Sequence, residues 1–248
     1  MKQGIIYRGV MMGLITCFLI IAILFAFNNN LGAAGDNDYI TLQPHIIDNQ
    51  EMFQLKELAA QYQWLLGYNA ESRSIYINTR GEQLSFSLEE GVIDGNPLPV
   101  APVIYQGRTY LSIEAVRTVL QTVLTEDLPS MIGGLYTDTD NYSEGEIITT
   151  YLRLYNIAQE SVFLNFGSGQ SYDLALLQND EEVWRWSEGK FFTMALIRRE
   201  LESGNKLVYD VEIEEEIKPG EYTLVGEIAT VENRLVLNQI GIEISAEQ

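Results

Sequence analysis

The residue types that carry most enzymatic chemistry are scarce in this 248-residue chain, which contains one histidine, His45, and one cysteine, Cys17. Zinc sites built on imidazole or thiolate need several such ligands, and nucleophilic triads and Cys–His pairs need a histidine beside the nucleophile. A lone cysteine also excludes a disulfide within the chain. We therefore predict no catalytic residues, no metal site and no cofactor, and we interpret His45 as a residue at a strand edge.

The carboxylates are numerous but do not form an acid–base pair. The chain has 35 acidic and 15 basic residues and a net charge of −20, so it repels nucleic-acid phosphates and we exclude nucleic acid as a partner. Residues 138–141 resemble the start of a calcium loop, but Ser143 stands where that loop requires glycine, which favours a solvated turn. The acidic run at 212–216 predicts an exposed strand end, with loose cation binding as the alternative.

The first 35 residues differ in charge from the rest of the chain. Lys2 and Arg8 are their only charged residues, so this stretch carries +2 and the remainder carries −22. Residues 10–27 are uncharged and apolar, and as a helix they would reach about 27 Å, close to the thickness of the hydrocarbon core. We predict one N-terminal transmembrane helix at 10–27, with the N-terminus in the cytoplasm and an exported body.

Two interpretations of this leader stay open. In the first, residues 1–35 are a cytoplasmic tip and an uncleaved signal anchor, and the chain is a single-pass protein of the cell membrane. In the second, a signal peptide is cleaved near residues 31–35, where Ala33 and Ala34 are small, and the body is secreted. The length of the apolar run favours the anchor.

Residues 39–125 contain an internal repeat with an offset of 58 residues. Each copy begins at a proline (Pro44, Pro102) and continues with a turn, a short strand and an amphipathic helix. Strand-like alternation fills the stretch between the copies, and Asp94 and Gly95 are typical of a hairpin turn. This pattern predicts a small α+β domain at 39–125.

Four stretches of this domain resemble the copper amine oxidase N-terminal-like domain that occurs on exported bacterial proteins: residues 53–62, 66–69, 74–77 and 101–111. The chain departs from the family pattern at Ser112, where proline is usual, and at Glu114, where arginine is usual. The resemblance implies a stalk that holds no copper.

Residues 131–248 have the period-two alternation and the punctuating turns of an all-β domain. We treat Asp127, Pro129, Gly133 and Gly134 as the junction that precedes it. The predicted strands are 146–155, 162–166, 172–177, 182–186, 206–213, 222–228 and 235–244. Their number and spacing predict an immunoglobulin-like antiparallel sandwich that is held by packing alone.

Four motifs of this second domain resemble the BsuPI intracellular proteinase inhibitor family and occur in the family order: residues 166–173, 183–187, 191–192 and 219–222. The resemblance implies a β-sandwich that inhibits a serine protease. It also implies that the motif residues are mostly structural; they are Phe166, Tyr172, Asp173, Trp184, Trp186, Phe192, Pro219, Gly220 and Tyr222. Inhibitors of this family act inside the cell, whereas the leader predicts export, so we expect a target protease outside the membrane.

Two loops are candidates for protease contact. The first contains Gly167, Ser168, Gly169 and Gln170, and the second contains Ser187, Glu188, Gly189 and Lys190. Both also read as ordinary hairpin turns. Trp184 and Trp186 share one sheet face, which predicts either a contact patch or, more simply, a core edge with Arg185 paired to an acid.

The sequence therefore carries two hypotheses. In the first, the chain is a membrane-anchored, exported, non-enzymatic inhibitor of a serine protease. In the second, it is an adhesion or scaffold protein of the cell envelope, in which the sandwich binds another envelope protein without inhibiting it.

Overall fold

The computed structural model describes residues 38–79, 81–124, 127–232 and 234–246. The predicted leader, with its span at 10–27 and its processing site near 31–35, lies outside these residues. Within the described ranges, no helix is both long and apolar enough to span a membrane.

Before it enters the first domain, the chain forms an edge strand of the sandwich. Strand β1 (Tyr39–Thr41) pairs in parallel with Met131, Ile132 and Gly133 of the sandwich. The Leu42 N–H then donates to the Gly133 carbonyl at 3.0 Å. The entrance and the exit of the first domain therefore lie side by side.

The first domain has two helices and two sheets among its described residues. The sheet in the order β2-β3-β10-β9 consists of β2 (Pro44–Ile47), β3 (Gln50–Gln54), β9 (Val103–Tyr105) and β10 (Arg108–Leu111). The sheet in the order β4-β5-β6-β7-β8 consists of β4 (Leu65–Asn69), β5 (Ser74–Asn78), β6 (Gln83–Ser87), β7 (Val92–Ile93) and β8 (Asn96–Pro97). The helices are α1 (Leu55–Gln61) and α2 (Ile113–Val123).

The internal repeat is confirmed as a repeated hairpin followed by a helix. The β2–β3 turn places Asp48 and Asn49 at φ of 50° and 61°, and the β9–β10 turn places Gln106 and Gly107 at 48° and 73°. The second strands of the two copies, β3 and β10, pair with each other in antiparallel register. Ser112, the departure from the family pattern, caps α2 by accepting a hydrogen bond from the Ala115 N–H at 3.2 Å.

The second domain packs its sheets around one apolar core, as predicted for a sandwich. One sheet has the order β1-β11-β13-β18, with β11 (Met131–Thr137), β13 (Ile148–Asn156) and β18 (Lys206–Ile213). The second has the order β12-β21-β19-β15-β16, with β12 (Asn141–Ser143), β15 (Tyr172–Gln178), β16 (Glu181–Arg185), β19 (Gly220–Ile228) and β21 (Ile240–Ser245). Strand β20 (Leu235–Val236) joins β19, and β14 (Val162–Phe166) pairs with β17 (Ile197–Leu201).

Gly133 and Gly134 do not form a junction, as the sequence had suggested, but lie inside strand β11. A Cβ at Gly133 would stand 2.6 Å from a methyl of Leu237, and one at Gly134 would stand 2.7 Å from the ring of Pro44. These glycines are therefore required by close packing on both faces of the strand and not by a turn.

Two further expectations about the sandwich were wrong. The predicted strand 235–244 is interrupted at 237–239, where the Asn238 amide exchanges hydrogen bonds with the backbone of Leu135 at 2.6 and 2.7 Å. The pairing is also not purely antiparallel, because β1–β11 and β12–β21 are parallel.

The core of the first domain continues into the sandwich. Ile132, Tyr155 and Ile157 of the second domain belong to the same buried cluster as Phe53 and the buried faces of α1 and α2. The rings of Phe53 and Tyr155 meet edge to face with centroids 5.3 Å apart. Residues Asn37–Gln248 accordingly form one compact unit.

Candidate functional site

The most exposed apolar side chains of the described residues lie on one irregular segment, residues 189–196, which we call the apolar loop. Phe191 is 101% exposed, Met194 98% and Leu196 76%. Residues 190–196 form neither helix nor strand. Several exposed apolar side chains close together on one segment are typical of an interaction site.

Topology explains why this loop lies beside the other candidate loop. The apolar loop carries the chain from β16, in the β12–β16 sheet, to β17, whose partner is β14. Residues 167–170 connect β14 to β15 of that same sheet. Both loops therefore join the same two layers, and the Gly169 N–H donates to the Thr193 carbonyl at 2.8 Å.

Gly169 is required by this contact. A Cβ at this position would stand 2.7 Å from Thr193 Oγ1 and 3.4 Å from the Thr193 backbone nitrogen. The contact is made at the middle of the apolar loop, between Phe191 and Met194. Within the described part of the chain, it is the one backbone–backbone hydrogen bond that residues 191–196 make outside the regular strands.

Aromatic side chains support the start of the apolar loop. The Lys190 ammonium lies 3.8 Å from the centroid of the Trp186 ring, and the Phe192 ring packs on the same indole at 5.8 Å. Trp186 in turn packs on Tyr172 at 4.2 Å, and Tyr172 on Tyr209 at 4.6 Å. The two neighbours of Phe191 are thus both held on Trp186, while Phe191 projects into solvent.

A buried carboxylate fixes the turn that leads into the loop. Asp173 is 2% exposed and accepts hydrogen bonds from the Ser187 N–H at 3.1 Å, the Ser187 hydroxyl at 2.7 Å and Arg185 Nη1 at 2.9 Å. The Lys190 N–H closes the turn on the Ser187 carbonyl at 3.1 Å, and Gly189 has a φ of 70°. Both oxygens of the buried Asp173 carboxylate accept hydrogen bonds, so the burial of this charge is compensated and the turn is held in place.

The residues predicted for protease contact are brought together, but most of them form the support and not the tip. Ser187 is bonded to Asp173, Lys190 lies on Trp186, and the Gln170 N–H bonds the Ser168 hydroxyl at 3.1 Å. Gly167 and Glu188 are exposed. Whether any of these residues contacts a protease stays a prediction.

The motif residues act as structural elements. Phe166 is fully buried, and Trp184 and Trp186 pack against the sandwich core. Arg185 pairs with Asp173 and with Glu182, the acidic pairing that the core-edge interpretation of the two tryptophans expects. The hydrogen bonds from Arg185 to the two carboxylates raise its pKa.

The motif 219–222 closes the loop before β19. Pro219 and Gly220 carry the chain around a bend, and the buried Tyr222 donates its hydroxyl hydrogen to the Lys218 carbonyl at 2.8 Å. This bond satisfies a polar group that burial would otherwise leave unpaired. The motif therefore stabilises the sandwich and is not itself an exposed contact.

Met194, Leu196 and Thr193 were missed at the sequence level. Residues 191–197 are apolar except for Thr193, a composition that usually indicates a buried strand. The available signal was the lack of period-two alternation directly after the turn at 187–190, which separates this run from the regular strands.

A second unusual site joins the first domain to the sandwich, and we call it the Glu51 cluster. The Glu51 carboxylate accepts hydrogen bonds from Arg153 Nε at 2.8 Å, Tyr155 at 2.7 Å, Tyr136 at 3.0 Å and Lys206 at 2.5 Å. Burial by itself raises the pKa of Glu51, but the bonds from Lys206, Tyr155 and Arg153 outweigh it and lower the pKa to about 2.

The remaining candidates do not form a reactive centre. His45 lies on β2, with Nε2 3.3 Å from the Glu57 carboxylate and its ring against Tyr110. No group of three or more metal-ligating side chains occurs in the part of the chain that the structure describes. A groove of about 500 Å³ on the first domain is lined mainly by apolar side chains that include Trp64, Leu65 and Leu66.

The fold and this site are those of a β-rich binding protein, in which an exposed apolar loop is held in place by Trp186 and Gly169. Comparison with family models then confirms both resemblances, in the predicted order. The model described as intracellular proteinase inhibitor, BsuPI, matches residues 135–233, and the model described as copper amine oxidase N-terminal domain matches residues 33–127. BsuPI is an inhibitor family and not an enzyme family, and the other domain is a non-catalytic one.

Solved structures share only a general similarity with the chain. The CARDB domain of a Pyrococcus furiosus protein is 11% identical over 50% of this chain and 100% of its own, with a TM-score of 0.30. The sporulation control protein Spo0M from Bacillus subtilis is 15% identical over 48% of this chain and 51% of its own, with a TM-score of 0.31. No curated protein matches the chain.

Proposed function

We propose that this chain is an exported, membrane-anchored inhibitor of a serine protease and that the apolar loop is the part that enters the protease cleft. The observation that carries the proposal is the loop itself, with Phe191 and Met194 almost fully exposed and the backbone bound at Thr193. The match of the surrounding sandwich to an inhibitor family supports the same function.

The mechanism is reversible occlusion. An extended inhibitor segment binds a protease cleft through backbone hydrogen bonds and through side chains that fill the cleft's pockets. Tight binding requires that the segment lose little freedom when it binds. Trp186, Asp173 and Gly169 meet this requirement, because they hold the apolar loop before any partner arrives.

Inhibition is tested by titrating the purified full-length chain, in mild detergent because of residues 10–27, against a panel of serine proteases. Cysteine proteases and metalloproteases serve as controls for unspecific effects. We expect one-to-one loss of activity at submicromolar concentration for at least one serine protease. A folded chain that leaves the whole panel active would contradict the proposal and would favour the scaffold hypothesis.

The anchored, exported location is a separate part of the proposal, and it is supported by residues 10–27 and by the charge asymmetry around them. Alkaline phosphatase fused after residue 37 is active only when it is exported, so its activity in whole bacterial cells reports topology. We expect an active fusion that sediments with the membrane. Activity in the medium would instead indicate cleavage near residues 31–35, and an inactive fusion would contradict export.

A further inference from the structure

The apolar loop offers two exposed side chains, Phe191 and Met194, that could fill the deepest pocket of a protease cleft. They differ in how they are held. Lys190 and Phe192, on either side of Phe191, both contact the Trp186 ring, at 3.8 Å and 5.8 Å from its centroid. Among the described residues, Met194 is held on one side, where the carbonyl of its neighbour Thr193 accepts a hydrogen bond from the Gly169 N–H at 2.8 Å.

Side-chain entropy reinforces this difference. A phenylalanine has two rotatable side-chain bonds and a rigid ring, whereas methionine has three rotatable bonds and loses more freedom when it is immobilised. Rigid aromatic anchors dominate the binding energy of protein interfaces for this reason. Phe191, which is 101% exposed, also makes no contact within the chain that it would have to give up on binding.

The chemistry of the side chain selects the pocket. Among serine proteases, the primary pocket is a hydrophobic slot in chymotrypsin, a small pocket in elastase and an acidic one in trypsin. A benzyl side chain fits the hydrophobic slot, overfills a small pocket and leaves the acid of the trypsin pocket unpaired. Discrimination against a site with an unpaired buried charge is severe.

We infer that Phe191 determines the specificity of the chain and fills the primary pocket of a protease with a hydrophobic slot of the chymotrypsin type. This inference rests on the proposed function. Met194 and Leu196 then contact shallower parts of the cleft, and the support on Trp186 keeps Phe191 in place.

The test measures the inhibition constants of the full-length chain and three variants against chymotrypsin, subtilisin and trypsin. Phe191→Ala is expected to weaken inhibition of the slot-type protease by roughly 100-fold, as for an interface hot spot. Met194→Ala is the matched control, since Met194 is equally exposed, and we expect a loss below about fivefold. Phe191→Arg should no longer inhibit the slot-type protease and should instead inhibit trypsin, whose primary pocket is acidic.

The variants are expected to fold, because both side chains are exposed, and circular dichroism and thermal melting check this. If the parent chain inhibits a slot-type protease but Phe191→Ala inhibits it equally well, or Met194→Ala causes the larger loss, this inference is overturned while the proposed function stands. If the parent chain inhibits trypsin best, the inference is likewise overturned alone. A parent chain that inhibits no protease overturns both.

Discussion

Folded proteins usually bury apolar side chains and expose charged ones. The Glu51 cluster departs from this rule by burying charge, and the apolar loop departs from it by exposing apolar groups. In the cluster, two charged groups, Glu51 and Arg153, are largely buried and pair with each other. Each also binds an exposed partner: Glu51 binds Lys206, and Arg153 binds Asp210 at 2.7 Å. In the loop, apolar groups are exposed, and Phe191 and Met194 have no apolar cover. The first arrangement is complete in itself, whereas under the proposed function the second is completed by the protease.

This comparison separates stability from binding. Substitutions in the Glu51 cluster should change the free energy of unfolding and leave inhibition unchanged. Substitutions in the support of the apolar loop should do the reverse. The four predictions below test this division, and they are ordered by the size of the expected effect.

Removing the carboxylate of the Glu51 cluster should have the largest effect. Glu51→Ala leaves Arg153, which is 6% exposed, without one of its two carboxylate partners, and we expect a loss of about 3 kcal/mol in the free energy of unfolding. Urea denaturation of the full-length chain measures the loss, and the inhibition constant should not change. The matched control is Glu182→Gln, which removes the exposed partner of Arg185 and should cost less than about 1 kcal/mol. Equal losses for the two variants would contradict the distinction.

The Glu51 carboxylate should also make the free energy of unfolding depend on pH in the acid range. The pKa of Glu51 is lowered from 4.5 to about 2 in the folded chain, so its contribution is complete above the unfolded pKa and is lost as the pH falls from 4.5 toward 2. We expect the parent chain to lose about 2 kcal/mol more stability than Glu51→Gln between pH 5 and pH 3. Parallel stability curves for the two chains over this range would show that Glu51 is not the group responsible.

The support of the apolar loop should affect binding and not stability. Gly169→Val places a side chain against Thr193 and displaces the middle of the loop, so we expect inhibition to weaken by about tenfold. Gly241→Val is the control, because a Cβ at the exposed Gly241 meets no atom within 4 Å. The inhibition constants and melting temperatures of both variants are compared with the parent chain. A stable Gly169→Val variant with unchanged inhibition would show that inhibition does not depend on the fixed geometry of the loop.

The smallest effect on inhibition is expected from Lys190, whose ammonium group lies over the Trp186 ring. Lys190→Ala removes a cation–π contact at an exposed site, which is worth about 0.5–1 kcal/mol, so inhibition should weaken by less than about fivefold. Lys190→Arg preserves the contact and should inhibit as the parent chain does. A larger loss in Lys190→Ala than in Phe191→Ala would mean that the lysine itself contacts the protease.

Local patterns predicted most of the strands and the repeated hairpin of the first domain. The failures occurred where distant residues determine the conformation. Gly133 and Gly134 read as a junction because glycine usually marks a turn, but here the side chains of Leu237 and Pro44 leave no room for a Cβ. No local pattern contains those neighbours, which are far away in sequence.

The site was predicted only in part, for a similar reason. The turn that contains Gly189 was identified, but the exposed run after it reads as a buried strand. The pair of Arg153 and Glu51 was not predicted, because the two residues lie on strands that are far apart along the chain. Choosing Glu51 among 35 acidic residues requires the tertiary structure.

The position of β1 has a consequence for how the chain unfolds and how it can be divided. Because the first domain is inserted between β1 and β11, and because Ile132, Tyr155 and Ile157 lie in its core, cutting the chain near residue 130 would uncover apolar surface on both pieces. The two family-matched regions thus share a buried apolar cluster. We expect heat to melt them in a single transition, so the sandwich retains its shape only while the neighbouring domain is folded.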